Sequence, residues 1–390
     1  VFQTHLLSFN EDEGTWQEAG PVPTPGLEHD RGNIVRIAYD SLVVSGGNLF
    51  ALGYASSTDN PDPFANYAQF YVLSWSLADL SAVPAYTSLW LRVCAGAHRS
   101  VPALAAWHDG TALAVHPRAT CQGTLTFQAF DGRLTVQSSA PVDDLESLGS
   151  APLLVAESES ELVAVSDGTW TYLWSSGQWT AVDWARAGDV RALAYEQSSG
   201  ELYASFTDAT DAGASQAVQK YPVRDRRPSG QPFFVDSVYK NGAVTSALAH
   251  DHGLMVGGDF RFAGTTTASI AALYENGAWE RTTQSATGFE GQVATALAGD
   301  GSAVFGLVFD KRSAYGPGSR VPSVLWTEES SYEYLPHRPT WTPDDGTTAM
   351  RPETFADLLY DAPRQRLYIA GDFVVQLHDG STARGRTRVL

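Results

Sequence analysis

GLMVGGDFRFAGTTTASIAALYENGAWER, residues Gly253–Arg281, is the stretch whose reading decides the fold. A short apolar run ends in Gly257-Gly258-Asp259-Phe260, and a small-residue loop, Ala263–Ala268, follows. A second apolar run, Ile270–Tyr274, stops at Glu275-Asn276-Gly277, and Trp279 opens a third. The order is strand, loop, strand, tight turn, strand. Asn-Gly between two apolar runs is the strongest short hairpin signal, because both central residues of a type I′ turn need positive φ.

The same order recurs along the chain. First strands are predicted at Ile34–Tyr39, Val101–Trp107, Ala151–Ala156, Val190–Tyr195, Val244–Ala249, Val293–Ala298 and Phe355–Tyr360. Second strands follow at Leu49–Tyr54, Thr111–Val115, Glu161–Val165, Glu201–Phe206, Leu254–Phe260, Ala303–Phe309 and Leu367–Phe373. Third strands are predicted at Gln69–Trp75, Thr124–Phe130, Thr171–Trp174, Ala217–Tyr221, Ile270–Tyr274 and Ser323–Trp326. Fourth strands are predicted at Arg133–Gln137, Gln178–Val182, Phe233–Val238, Ala278–Thr282 and Ser331–Leu335. Repeated four-stranded units of this kind are the mark of a propeller. The expectation is all-β: a single β-propeller domain over residues 1–390, with seven blades of four antiparallel strands starting near 34, 101, 151, 190, 244, 293 and 355.

The seventh unit supplies two strands and then runs into Val374–Leu390, where no clear fourth strand remains. The N-terminus holds the complement. His5–Phe9, an acidic turn at Asn10–Gly14, then Thr15-Trp16-Gln17-Glu18 match Ile270–Glu280 in order and spacing. Residues 1–20 are therefore expected to complete the last blade, which removes the open sheet edges that invite aggregation.

Net charge is −19, from 44 Asp and Glu against 25 Lys and Arg, so nucleic acid and anionic membrane surfaces are poor partners. No apolar run approaches the roughly 20 residues that span a bilayer, so direct membrane insertion is not expected. Cys94 and Cys121 are the two cysteines; without a Cys-x-x-Cys or Cys/His cluster, zinc has no ligand set. A disulfide between them suits a secreted chain and two buried thiols a cytosolic one; the extracellular character of the rest favours the disulfide. The chain begins with Val1 rather than Met, and the expectation is a processed form or a piece of something longer.

Gly257-Gly258-Asp259-Phe260, then Ala263-Gly264, Ile270-Ala271, Asn276-Gly277 and Trp279, resembles a widespread extracellular β-propeller repeat. That repeat occurs in bacterial surface proteins and fungal cortical-marker cell-surface proteins, and is related in shape to kelch and galactose-oxidase propellers. A partial match stands at Ile369-Ala370-Gly371-Asp372-Phe373. The resemblance implies a surface, adhesion or assembly module with no catalytic residues to carry over.

Several residues invite chemistry. Asp259 and Asp372 hold the same place in their units; repetition around a ring favours turn carboxylates over an acid/base pair. Ser166-Asp167-Gly168-Thr169-Trp170 resembles the core of the Asp-box of sialidase-like propellers, itself a hairpin device. His250 and His252 flank Asp251 with the spacing a metal site would want, yet no third ligand is visible and a solvated turn is the better reading. Acidic loops at Asp59–Asp62, Asp208–Asp211 and Asp344-Asp345 offer hard oxygen ligands for Ca²⁺, without EF-hand spacing; no other cofactor is expected. Arg384, Arg386 and Arg388 form a basic run that reads as a processing or junction segment. Phosphate-loop, nucleophile-elbow and His-Glu-x-x-His patterns are absent, as is any Asn-x-Ser/Thr sequon.

The sequence thus predicts a non-catalytic extracellular or cell-surface propeller, a binding, adhesion or assembly module within a larger protein or polymer. Its partners would be a protein or glycan at the cell surface, or copies of itself. The alternatives are a carbohydrate-active enzyme, glycosidase- or sialidase-like, and a glycan-binding lectin.

Overall fold

The computed structural model describes residues 5–10, 15–18, 34–56, 67–92, 103–107, 110–115, 124–130, 134–141, 153–157, 162–166, 171–175, 178–184, 189–207, 217–223, 229–231, 243–250, 253–261, 268–275, 277–281, 292–300, 302–310, 320–327, 333–334, 354–372, 374–376 and 382–384. Within them the chain forms seven four-stranded antiparallel sheets and one two-stranded hairpin. Blade 1 is Ile34–Ser45, Asn48–Ser56, Tyr67–Ser76 and Ala85–Arg92. Blades 2 to 6 open with inner strands Ala103–Trp107, Leu153–Glu157, Asp189–Glu196, Ala243–His250 and Gln292–Gly299. Blade 7 takes Thr354–Asp361 and Arg366–Asp372 from the C-terminal region, and His5–Asn10 and Thr15–Glu18 from the N-terminal one. The inner strands of successive blades lie side by side, and blade 7 lies against blade 1, so the ring closes. The fold is the expected β-propeller, with the last blade shared between the two ends of the chain.

The shared blade follows from period-two alternation. His5–Asn10 pairs antiparallel with the second strand, Leu6 opposite Ala370 and Phe9 opposite Leu367. Successive strand residues face opposite sides, so Leu6, Tyr368 and Ala370 pack with Leu49, Tyr71, Leu73 and Trp75 of blade 1. Phe9, Leu367 and Ile369 pack on the other side with Ala296, Phe305 and Leu307 of blade 6. Each large apolar side chain buried there contributes about 1.5–3 kcal/mol. Trp16 lies opposite Phe9 in the outer strand.

The strands of the opening stretch fold as read, with residues 262–267 outside the described residues, and its glycines gain a physical role. Glu275 pairs with Ala278 across a two-residue turn, where Gly277 has φ +83°; Asn276 lies outside the described residues. Trp279 stacks at a tilt on Tyr274, with centroids 4.9 Å apart. Gly258 and Asp259 fall where the register shifts between the second and third strands of blade 5. Asp259 lies opposite Ala243 as Asp372 lies opposite Thr354, and Gly258 and Gly371 likewise correspond. Phe260 pairs with Ser269, whereas Phe373 lies outside the described residues. A Cβ on Gly257 would stand 2.6 Å from Ser246 Oγ and 3.0 Å from Ala294 Cβ. Gly257 thus leaves room for the Ser246 hydroxyl, which donates to the Ala294 carbonyl of blade 6 at 3.3 Å.

Two strand expectations need correction. Blade 1 has a fourth strand, Ala85–Arg92, that the sequence did not announce, because it follows the long connection after Ser76. In blade 4 the outer strand is Ser229–Gln231 rather than Phe233–Val238, which lies outside the described residues. Ser-Gly-Gln has little strand propensity; its position comes from backbone pairing with Val218–Lys220.

Gly257→Ala should lower stability by about 1–3 kcal/mol in urea unfolding. Adding Ser246→Ala should recover part of that loss, because the nearest clashing atom is gone. A neutral Gly257→Ala would contradict the packing described.

Candidate functional site: the central channel and the two ends

Strand direction sets up two unlike ends. In every blade the first and second strands join by a tight connection, as at Gly46-Gly47 or between His250 and Gly253. The opposite end carries the connections from second to third strand and from blade to blade. The longest of those run from Tyr334 to Thr354 and from Glu18 to Ile34, while the third-to-fourth connections, such as Ser76 to Ala85, share the end of the tight turns.

Between the ends runs a cavity of about 360 Å³, lined by residues from all seven inner strands. Its chemistry is set by backbone irregularities. The register of the first strand pair shifts between Val190 and Ala192, Val244 and Ser246, Ala294 and Ala296, Phe355 and Asp357, and Ile37 and Leu42. Such a bulge inserts a residue without a partner and re-aims side chains. The extra residues in blades 4, 5 and 6 are Arg191, Thr245 and Thr295, and all three line the channel.

Side chains bond backbone groups beside these irregularities. Thr245 Oγ1 donates to the Ala294 carbonyl at 2.9 Å, and Thr295 Oγ1 to the Leu307 carbonyl at 3.2 Å. Ser205 Oγ donates to the Val244 carbonyl at 3.4 Å. At the ring closure, the Leu42 amide donates to Asp357 Oδ2 at 2.6 Å, and the Leu358 amide to Oδ1 at 2.8 Å. Asp357 is buried in the channel wall, yet it works as a clamp between blades 7 and 1.

At the tight-turn end of blade 4, the buried Tyr203 hydroxyl lies 2.8 Å from Glu201 Oε2 and 3.0 Å from Glu196 Oε2. With one proton it donates to one carboxylate at a time. Lys220 Nζ sits 2.7 Å from Glu201 Oε1, and Ser199 Oγ donates to Glu196 Oε2 at 2.9 Å. Burial, then the Glu201 hydrogen bond and the two carboxylate charges, pushes the phenol far above its ordinary range. A phenol held protonated in this way is unsuited to act as a nucleophile.

Beyond Gly299, at the same end of the channel, Asp300 organises a turn. Its Oδ1 accepts from the Ser302 amide and hydroxyl, both at 2.8 Å, and from the Ala303 amide at 3.2 Å. Burial pushes its carboxyl up, but the Ser302 and Ala303 bonds and the nearby His250 outweigh this and hold it below the usual carboxylate range.

The sequence-predicted residues are placed as follows. Asp259 and Asp372 lie at the far ends of second strands, in different blades. His250 ends the inner strand of blade 5 and is buried. Arg384 closes the C-terminal hairpin, paired with Val374. Cys94, Cys121, His252, Asp167–Trp170, Arg386, Arg388 and the acidic loops lie outside the described residues. Among the described residues, no three His, Cys, Asp or Glu gather as a metal site would require. The channel residues Arg191, Thr245, Thr295 and Asp357 were not singled out in the sequence. Their one linear signal is a polar residue interrupting an Ala/Leu-rich inner strand, as in Val190-Arg191-Ala192-Leu193-Ala194.

No protein-family model matches the chain, and no curated protein matches it in sequence. Among solved structures it is similar to the GH74 xyloglucanase from Xanthomonas campestris, at 13% identity and TM-score 0.51, over 76% of this chain and 47% of that one. The chain thus spans about half the length of the xyloglucanase. It is also similar to the β-propeller domain of the trilobed protease from Pyrococcus furiosus, at 9% identity and TM-score 0.47, over 90% of this chain and 99% of that one. The Cps50 (Swd1) β-propeller domain from Myceliophteria thermophila gives 11% identity and TM-score 0.46, over 87% and 98%. The xyloglucanase likeness agrees with the architecture described above: the chain is a β-propeller.

Asp300 is stabilised in its charged form, so its contribution to stability is present above the ordinary carboxylate pKa and is lost as pH falls through its lowered value. Asp300→Asn should therefore cost stability at neutral pH, by under about 1 kcal/mol given solvent screening, and converge with the wild type in acid. A gap that widens on acidification, followed by thermal unfolding against pH, would contradict the assignment.

Proposed function

We propose that this chain is a non-catalytic propeller, extracellular or at the cell surface, that binds or assembles through its loop-bearing end. The supporting observation is the asymmetry of the two ends. One of them carries the short first-to-second turns together with the third-to-fourth connections, and the other carries the longest connections, from Tyr334 to Thr354 and from Glu18 to Ile34. Loops on a rigid scaffold are where binding residues concentrate. The net charge of −19 favours a protein or glycan partner, or a second copy docked through a less acidic patch, over nucleic acid.

The described carboxylates support a framework role over acid/base chemistry. Asp357 holds two backbone amides, and Glu196 and Glu201 hold Tyr203 and Lys220. The xyloglucanase acts on xyloglucan by its name, and the likeness to it reaches the fold only.

The test shortens the connections 19–33 and 335–353 with Gly-Ser linkers, leaving the strands intact. Wild-type protein should self-associate in sedimentation velocity or bind on a glycan or cell-surface protein array, and the shortened form should fold yet lose that binding. A wild type that stays monomeric at all concentrations and binds nothing on either array, or a shortened form that binds equally well, would overturn the proposal.

A further inference from the structure

Seven outer strands form the circumference of the ring, and six of them are blunted. Thr15–Glu18, Gln178–Ala181 and Ala278–Arg281 have four residues each, Ser229–Gln231 three and Glu333–Tyr334 two. In blade 2 the outer strand Leu134–Pro141 is eight residues long, but its register shifts between Val136 and Ser138 and it ends at a proline. Short strands, bulges and proline are the means by which sheets avoid pairing edge to edge. The outer strand of blade 1, Ala85–Arg92, has none of these. It is eight residues long, pairs with Tyr67–Ser74 in unbroken register, and ends its sheet among the described residues. Its sequence, AYTSLWLR, carries one charge, at Arg92, in a chain of net charge −19.

The approach to this strand is apolar and already shaped. Among the described residues, the exposed large hydrophobic side chains are Val83 and Tyr86, at 66% and 48% exposure. Tyr86 stands edge-on to the buried Tyr71, with ring centroids 5.9 Å apart and planes at 71°, so it is positioned before any partner arrives. The connection that carries Val83 is pinned by Asp79, whose Oδ1 accepts from the Ser81 amide at 3.1 Å and the Ser81 hydroxyl at 2.6 Å. Aromatic anchors of this kind carry much of the energy of an interface. Charge and pairing select the occupant. A nearly neutral strand gives a strongly charged partner little to recognise, whereas a second copy fits it. In antiparallel self-pairing about a two-fold axis between Ser88 and Leu89, Tyr86 meets the partner's Leu91 and Thr87 meets the partner's Trp90. Ala85 meets the partner's Arg92, so no like charges stand opposite each other.

We propose that two copies of this chain pair through the outer edge of blade 1, Ala85–Arg92 against Ala85–Arg92, joining their four-stranded sheets across a two-fold axis. An isologous contact that uses one edge per copy closes at two chains. The seam lies on the circumference of the ring, apart from the loop-bearing end. The form with shortened connections 19–33 and 335–353 should therefore stay dimeric, while losing array binding or association beyond two chains.

Sedimentation velocity on the full chain should show a dimer that dissociates on dilution. Two copies of net charge −19 repel each other. Raising ionic strength from about 0.01 M to about 0.15 M, which shortens the Debye length from roughly 30 Å to roughly 8 Å, should tighten the dimer several-fold. Ser88→Glu sets like charges beside the two-fold axis and should weaken the dimer by about tenfold or more. Tyr86→Ser should weaken it a few-fold, and both variants should keep the circular dichroism of the wild type. Hydrogen exchange gives a reading that needs no variant: amides of residues 85–92 should gain protection as concentration rises through the dissociation constant. A chain that is monomeric at every concentration, a dimer weakened by salt, or a folded Ser88→Glu that dimerises as well as wild type would overturn the proposal. So would amides of residues 85–92 already protected in the monomer, which would mean that the chain itself covers the edge.

Discussion

The ring depends on a carboxylate that holds two backbone amides. Asp357 accepts from Leu42 across the junction of blades 7 and 1, and from its own neighbour Leu358. The two bonded residues Leu42 and Asp357 are 315 positions apart, so this bond ties the inner strand of the first blade to that of the last. Its cause lies in the inner strands. In blades 1, 4, 5, 6 and 7 register shifts bend the inner strand and interrupt the ladder. A buried backbone group without a partner costs about 1–3 kcal/mol. Side chains of neighbouring blades answer that need at Val244, Ala294 and Leu42. Bonds beside these bulges therefore tie blade 4 to blade 5, blade 5 to blade 6 and blade 7 to blade 1.

Apolar packing supplies the rest of the closure. The N-terminal strand places Leu6 against blade 1 and Phe9 against blade 6, so the last blade is wedged between its neighbours on both faces. Elsewhere aromatic side chains fill the wedge between sheets. Trp184 lies between blades 3 and 4, edge-on to Phe206 and Tyr221, with its Nε1 donating to Thr171 Oγ1 at 3.0 Å. A ring closed in this way holds the strands fixed while the connections between them are free to vary.

Much of this architecture was legible in the sequence. Asn276-Gly277 and the repeated Ala-Leu-Ala strands specify local hairpins, and local rules are those a sequence states openly. The match of His5–Glu18 to the third and fourth strands of blade 5 was readable because a missing piece leaves a recognisable complement. Ser229–Gln231 was not readable, since its strand character comes from a neighbour's backbone rather than from its own residues. The channel was also hidden. Arg191, Thr245, Thr295 and Asp357 lie on four different blades, and each bulge that turns a side chain inward depends on the pairing of two strands, not on a motif in one.

The account rests most directly on the Asp357 clamp, and the urea midpoint of Asp357→Asn measures it. Asparagine keeps the size of the side chain but presents one carbonyl oxygen where two carboxylate oxygens each accepted an amide. The ring should lose about 1–3 kcal/mol of stability, with the slope of the transition unchanged. A midpoint matching the wild type, a difference under about 0.5 kcal/mol such as a neutral surface change gives, would contradict the clamp.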